Sequence, residues 1–232
     1  MSQGGFLTNV KFNKKVKNMF QEEEYQKIIH EIKNSVCVIG SSLQLIQKQH
    51  PEIASFHHWN DVMFDISHLN CLFSEISTAR LCENLHTEQV HTADFLNDVI
   101  QRTSSLFSQN IVCSLTLAND LPDINIDSFC MNHALLNLIK NAVESIQSCG
   151  TVQISASQKN SNLIISVADN GCGIAQENIS RLFTPLYSSK ENGSGLGLSI
   201  TKQIITAHQG IITCDSTPKK GTTFTITLPA LV

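Results

Sequence analysis

No stretch of the chain approaches the roughly 20 consecutive apolar residues that a membrane-spanning helix requires. The opening Met1-Ser-Gln-Gly-Gly-Phe also lacks the charged and apolar regions of a secretory leader. Together these absences predict a cytoplasmic protein without a membrane span. Clustered positive charge is missing too: 16 Lys and Arg against 20 Asp and Glu give a formal net charge of -4, which argues against a nucleic-acid platform and for protein partners. No C-x-x-C occurs among the eight cysteines at 37, 71, 82, 113, 130, 149, 172 and 214, most of which sit in apolar runs. They are expected to be small buried thiols in a reducing compartment, without a metal or disulfide framework. Cys172 is set apart by its place between two loop glycines. What remains, 232 residues of which 41% are hydrophobic and 16% charged, fits two modest globular domains.

Five glycines, Gly171, Gly173, Gly193, Gly195 and Gly197, crowd the segment between Asp169 and Leu198. Such spacing puts backbone where a side chain would collide and offers amide donors to phosphate oxygens. Two common phosphate motifs are nonetheless absent. No G-K-[ST] follows, which excludes a P-loop, and the polar Ser188-Ser-Lys-Glu-Asn stands where a dinucleotide fingerprint needs a strand. Asp169 closes an apolar run, Leu163 to Val167, and is expected at a strand end beside a crevice. A carboxylate there repels phosphate but accepts a hydrogen bond from an exocyclic amine such as that of adenine. Asp-Asn-Gly is also a common turn. The second glycine run is the stronger signal, because Gly195-Leu196-Gly197-Leu198 leads into a helical pattern, Leu198 to His208, whose N-terminus favours anions.

Upstream, Asp127 caps a run beginning at Ser128, with apolar residues at 131, 135, 138, 139, 142 and 146 in helical spacing. This is expected to be a buried helix. Asn137 and Asn141 are four apart and share one face, with Lys140 beside them. Two amides on one stripe also suit a solvated surface; as ligands, their hard oxygens suit Mg²⁺ bound to a triphosphate.

Asn137-Leu-Ile-Lys-Asn-Ala, Asp169-Asn-Gly-Cys-Gly-Ile, Leu182-Phe-Thr-Pro-Leu-Tyr-Ser-Ser-Lys and Gly193-Ser-Gly-Leu-Gly-Leu resemble, in order and spacing, the four boxes of the histidine kinase ATP-binding domain of the GHKL superfamily. The likeness covers residues 87 to 232 and is to a sensor kinase transmitter of the nitrogen-regulation type. The resemblance implies an α/β sandwich with ATP between the asparagine helix and a mobile lid spanning Phe183 to Gly195. It further implies that Asn141 holds Mg²⁺, Asp169 binds adenine and Lys190 reaches the terminal phosphates. The fold expected overall is α+β, a helical hairpin followed by that sandwich.

Residues 1 to 15 carry Gly4-Gly5 and several lysines without apolar periodicity, and are expected to be a short tail. From about Val16 to Gln49, Tyr25, Ile29, Ile32, Val36, Ile39, Leu43 and Ile46 alternate steps of four and three, a heptad seam. Pro51 breaks it, and a second seam runs through Trp59, Val62, Ile66, Leu69, Phe73 and Ile76. The two predict a hairpin over 16–84, with 85–232 as the catalytic domain. Two helices alone leave half of each seam wet, so a homodimer forming a four-helix bundle is expected. There is no room for a sensor or receiver domain, which predicts that the signal arrives through another protein, such as a separate sensor, a small ligand or the tail.

On the first helix His30 follows a seam residue and should point to solvent, as should Glu31 and Asn34. An exposed histidine is usually only that. An ATP domain without an evident small-substrate pocket, however, needs a phosphoryl acceptor, and Glu31 is placed to take the imidazole proton as the other nitrogen attacks. His30-Glu-Ile-Lys-Asn resembles the phosphoacceptor box of the same family. This implies that His30 is phosphorylated, that Glu31 assists, and that Asn34 positions water to dephosphorylate a response regulator receiver domain. Ser35 stands where the family has proline, which removes a built-in weak point from the helix.

Residues 82–92 lose the heptad and read as a linker. A helix is expected over Ala93 to Phe107, and strands at Ile111 to Leu117, Ile124 to Ile126, Thr151 to Ser157, Leu163 to Val167, Ile211 to Cys214 and Thr222 to Leu228. His57, His58, His68, His91 and His133 lack ligand spacing. Three alternatives compete with the kinase. A GHKL ATPase would need a glutamate where Asn137 stands, an anti-sigma serine kinase would share that glutamate and lack the hairpin, and a nucleotide-binding scaffold would have lost box residues.

Overall fold

The computed structural model describes residues 27–29, 31–81, 84–107, 110–188 and 194–231, with the side chains at 71, 74 and 78–81 outside that set. The chain divides into two compact units, Met1–Ser74 and Glu75–Val232. The expected tail and the start of the first seam lie outside the described residues.

In the first unit, residues 27–29 and 31–49 are helical and form α1. Pro51, which cannot donate to a helical carbonyl, opens the 3-10 turn Pro51–Ser55, and α2 follows over Trp59–Leu81. The covered positions of α1 are Ile29, Lys33, Val36, Gly40, Leu43 and Gln47. They share only 29, 36 and 43 with the seam expected from periodicity. Gly40 lies on the covered side: a Cβ there would lie 3.0 Å from Ile66 Cγ2, so the backbone of α1 comes close to α2 at that point. Ile32, Ile39 and Ile46, the other half of the seam, are uncovered within one chain, Ile39 being 51% exposed. The Cys37 thiol donates to Asn70 Oδ1 at 3.3 Å across the hairpin.

The second unit is built on a five-stranded sheet in the order β2-β4-β5-β7-β6. Its strands are β2 (Ile111–Leu117), β4 (Gly150–Lys159), β5 (Asn162–Asp169), β6 (Ile211–Thr217) and β7 (Gly221–Pro229). The β2–β4 pair is parallel and the rest are antiparallel. Each strand alternates, so one face is apolar: Val152, Ile154, Leu163, Ile165, Val167, Phe224, Ile226 and Leu228 are all buried. Three helices supply the other half of that core, α3 (Thr92–Thr103), α4 (Ser128–Ser145) and α6 (Gly197–Ala207); the single-turn α5 (Gln176–Ile179) lies between the last two in the chain. The opposite face bears a row of hydroxyl residues in register, Thr116, Ser155, Ser166, Thr225 and Thr213.

The expected strands are found, four of them extended by one to three residues at an end, whereas the helix expected over Ala93 to Phe107 stops at Thr103 and continues as the 3-10 turn Ser104–Leu106. Residues 82–92 are not wholly linker, because Glu88–Val90 forms β1, which pairs antiparallel with β3 (Ile124–Ile126). Three residues are too few to show a period, and this pairing is held by its neighbours. Ser128 Oγ donates to Glu88 Oε1 at 2.8 Å, and Gln89 Nε2 donates to Asp123 Oδ2 at 3.0 Å.

Asp127 is the expected cap of α4, its Oδ1 accepting from the Cys130 amide at 3.0 Å. It also joins two other segments. Oδ2 accepts from the His86 amide at 2.9 Å, and the Asp127 amide donates to His208 Nε2 at 2.9 Å. His208 Nδ1 lies 2.8 Å from Ile204 O, so the ring is the neutral tautomer protonated on Nδ1. Burial works to raise the Asp127 pKa, but the hydrogen bonds from the amides of Cys130, His86 and Phe129 together hold it below the ordinary carboxylate value.

The cysteines depart from expectation. Cys37, Cys149 and Cys172 are exposed thiols, Cys113 and Cys214 are half-buried, and Cys130 is disulfide-bonded. Pairing of this kind depends on which segments fold together and leaves no mark in the spacing.

Gly40→Leu should destabilise the hairpin by about 1–3 kcal/mol through overpacking against Ile66, measured as a lower urea midpoint. Asp127→Ala should cost about 1–2 kcal/mol at neutral pH. Because the folded pKa is depressed, the charged cap stabilises above the ordinary carboxylate range, and that contribution is lost as pH falls through the folded value. The variant's acid-unfolding limb should therefore be shallower than that of the native chain.

Candidate nucleotide-binding site

Helix α4 has two stripes. Met131, Ala134, Leu135, Leu138, Ile139 and Ala142 are buried in the core. Asn137, Asn141 and Ser145 follow one another at intervals of four on another face. Asn141 is half-buried. Lys140 is exposed, and its Nζ lies 3.8 Å from Glu144 Oε1, a surface pair that fixes little.

Asn137 is engaged with protein. Its Nδ2 donates to Thr201 Oγ1 at 2.9 Å, and Thr201 donates onward to Gly197 O at 2.9 Å. A Cβ at Gly197 would lie 2.5 Å from Asn137 Oδ1. The glycine that starts α6 thus lets that helix sit directly on the asparagine. The first turn of α6 has no acidic residue and no side-chain cap at Leu196, so its amides suit an anion. Leu196 and Leu198 are half-buried and pack against the core.

Asp169 ends β5 as expected and is half-buried. Its Oδ1 lies 2.8 Å from Ser145 Oγ and accepts from the Gly171 amide at 2.8 Å. The loop beyond is pinned at several points. The Cys172 amide donates to Ser145 O at 3.0 Å, the Ile174 amide to Ser216 Oγ at 2.8 Å, and the Lys219 amide to Cys172 O at 2.7 Å. Gly173 and Gly195 have φ of +65° and +68°, a region that favours glycine. At all four described site glycines the atoms a Cβ would meet belong to the protein itself. Their first use is to let segments close on one another.

Beside α6, Phe183 packs edge-on to Phe224 with centroids 6.4 Å apart, and Arg181 lies 4.5 Å over the Tyr187 ring. His30, Lys190 and Gly193 lie outside the described residues. Glu31 and Asn34 are both exposed on α1. Ser35 Oγ donates to Glu31 O at 2.9 Å, and the helix runs on through the position where proline was expected.

Four residues of this region were not anticipated: Ser145, Thr201, Ser216 and Thr222. Ser145 continues the Asn137–Asn141 interval and was open to that reading. Thr222 lies opposite Asp169 in the β5–β7 register, with its hydroxyl 2.9 Å from that of Ser216. Nothing local distinguishes it from other strand threonines. The residues fit an adenine nucleotide: a carboxylate anchored through one oxygen, an acid-free helix N-terminus, and the hard amide oxygen of Asn141. Among the described residues no group of three or more His, Cys, Asp or Glu could hold a metal ion. A divalent cation at Asn141 would therefore draw its other ligands from phosphate oxygens or water.

This combination of a strand-end aspartate, an asparagine helix and a glycine-led α6 on one mixed sheet suits an ATP-binding domain. Residues 127–232 match the family described as histidine kinase-, DNA gyrase B-, and HSP90-like ATPase. Within that class the likeness is to histidine kinases. Sporulation kinase A of Bacillus subtilis (strain 168) is 34% identical over 87% of this chain and 33% of its own length. Sensor histidine kinase ZraS of Escherichia coli (strain K12) is 31% identical over 87% of this chain and 44% of its own. The chain thus spans between a third and a half of these relatives. In fold it is similar to full-length ShkA in complex with AMPPNP, with a TM-score of 0.74 and 21% identity over 90% of this chain and 46% of that one. No helix among the described residues is long and apolar enough to cross a membrane.

Proposed function

We propose that the chain is an ATP-dependent protein histidine kinase of a two-component system. It autophosphorylates on His30 and passes the phosphoryl group to an aspartate of a separate response regulator receiver domain. One observation carries this reading: Asp169, its glycine loop and the first turn of α6 meet the polar stripe of α4 in an ATPase-type domain, and likeness to named sensor kinases extends beyond that domain to 87% of the chain. The box residues support the finer likeness to the nitrogen-regulation type.

In this reading Asp169 receives the adenine amine. The α6 amides, with Gly193, Gly195 and Gly197, receive phosphate oxygens, and Lys190 contacts the terminal phosphates. Asn141 holds Mg²⁺, which when bound screens charge on the transferring group. One ring nitrogen of His30 attacks the γ-phosphorus; a P–N bond forms, the bridging P–O bond to the β-phosphate breaks, and ADP leaves. Glu31 takes the proton from the other ring nitrogen. The P–N bond is later broken in favour of an oxygen of the regulator's aspartate. Asn34, one turn from His30, orients water for hydrolysis of that product. Asn137 is an amide bonded to Thr201 and supplies no general base for water, which weighs against a simple ATPase.

A homodimer completes the hairpin. Ile32, Ile39 and Ile46, uncovered within one chain, form an apolar stripe of the kind a four-helix bundle buries, at roughly 1.5–3 kcal/mol for each side chain fully covered.

Incubated with γ-labelled ATP and Mg²⁺, the chain should acquire acid-labile, alkali-stable label, and His30→Gln should acquire none. Label on the variant would place the phosphoryl group elsewhere and overturn the assignment. Asn34→Ala should be labelled like the native chain yet dephosphorylate the regulator at least about tenfold more slowly, an effect within the range for one positioned group. Unchanged dephosphorylation would remove Asn34 from that role.

A further inference from the structure

Ser145 ends α4 and was not anticipated as a site residue. Its hydroxyl oxygen lies 2.8 Å from Asp169 Oδ1 and 2.8 Å from Ala142 O. One hydroxyl hydrogen cannot serve both acceptors, and an ionised carboxylate is the stronger. The Gly171 amide donates to the same Oδ1 at 2.8 Å. A Cβ at Gly171 would collide with Ser145, and the Cys172 amide is tied to Ser145 O. The end of α4, the carboxylate and the following loop therefore lock around one serine.

A carboxylate at a strand end can turn about its terminal bond and present either oxygen. With two donors on Oδ1, the plane of Asp169 is set and Oδ2 is the oxygen it can offer to a ligand. An exocyclic amine at purine position 6 donates to that oxygen; a 6-keto oxygen would face it lone pair to lone pair. We propose that Ser145 is a positioning residue for base selection, holding Asp169 in the orientation that favours a 6-aminopurine over other purines. The proposal rests on the adenine reading of Asp169. Ser145 itself need not touch the nucleotide.

The test is the affinity of the full chain for two nucleotides by calorimetry: ATP, and purine riboside triphosphate, which lacks only the exocyclic amine. The native chain should prefer ATP. Ser145→Ala should weaken ATP binding roughly 3- to 10-fold, the loss expected for one hydrogen bond, and leave purine riboside triphosphate unchanged, so that the preference shrinks. An equal loss for both nucleotides would mark a merely structural serine, and no loss for either would remove it from the site; both overturn the proposal. Asp169→Asn separates the two levels of argument. If that variant loses the preference while Ser145→Ala keeps it, only the serine's role fails. If Asp169→Asn also keeps it, the adenine reading fails and the serine's role with it. Urea midpoints measured alongside show whether either variant has lost its fold.

Discussion

Helix α4 must satisfy the sheet and the site at once, and most of the second unit follows from that demand. Its apolar stripe, from Met131 to Ala142, lies in the same core as the inward residues of β4, β5 and β7. That burial leaves the helix no freedom to rotate about its axis, because a turn of even one residue would carry Leu135 and Leu138 out of the core. The polar stripe is fixed by the same constraint. Asn137, Asn141 and Ser145 are thus held in place by packing on the other face of the same helix.

The polar contacts distribute tasks along that stripe. Near its middle, Asn137 and Gly197 seat α6 against α4 and so set where the uncapped amides of α6 begin. At its end, Ser145 meets the aspartate of β5. Asn141 sits between them. The cap at the other end, Asp127, gathers His86 and His208. A single helix therefore joins the segment after the hairpin, the middle of the sheet and the last helix, which explains how residues far apart in the chain keep a common geometry.

Much of this was legible in the sequence, and what was missed shares a physical cause. The alternation of Ile111–Leu117 and the capped apolar run after Asp127 each report a local period, and a local period is visible without the rest of the molecule. Asp169 was placed at a strand end for the same reason. On α1 half of the seam is uncovered within one chain, as expected for two helices alone; what the pattern did not show is Gly40, which carries no side chain and so adds nothing to a hydrophobic period, yet lies on the covered side where α1 approaches α2. β1 has three residues and is defined by its partner. Ser145, Thr201 and Thr222 are small hydroxyls whose partners are chosen only in three dimensions, and the Cys130 disulfide is likewise a matter of tertiary pairing.

The order of the strands has a kinetic corollary. β5, which carries Asp169, is flanked on one side by β4, its immediate predecessor, and on the other by β7, which comes much later in the sequence. Ser216 and Lys219, which pin the loop after Asp169, also come from the β6–β7 hairpin. A growing chain can pair β4 with β5 early, since they are joined by a tight turn, but the central strand keeps an unsatisfied edge until β7 emerges and closes a long loop. The loop after Asp169 is therefore among the last parts of the sheet to become rigid. During synthesis, the surroundings of Asp169 are complete only when the sheet is.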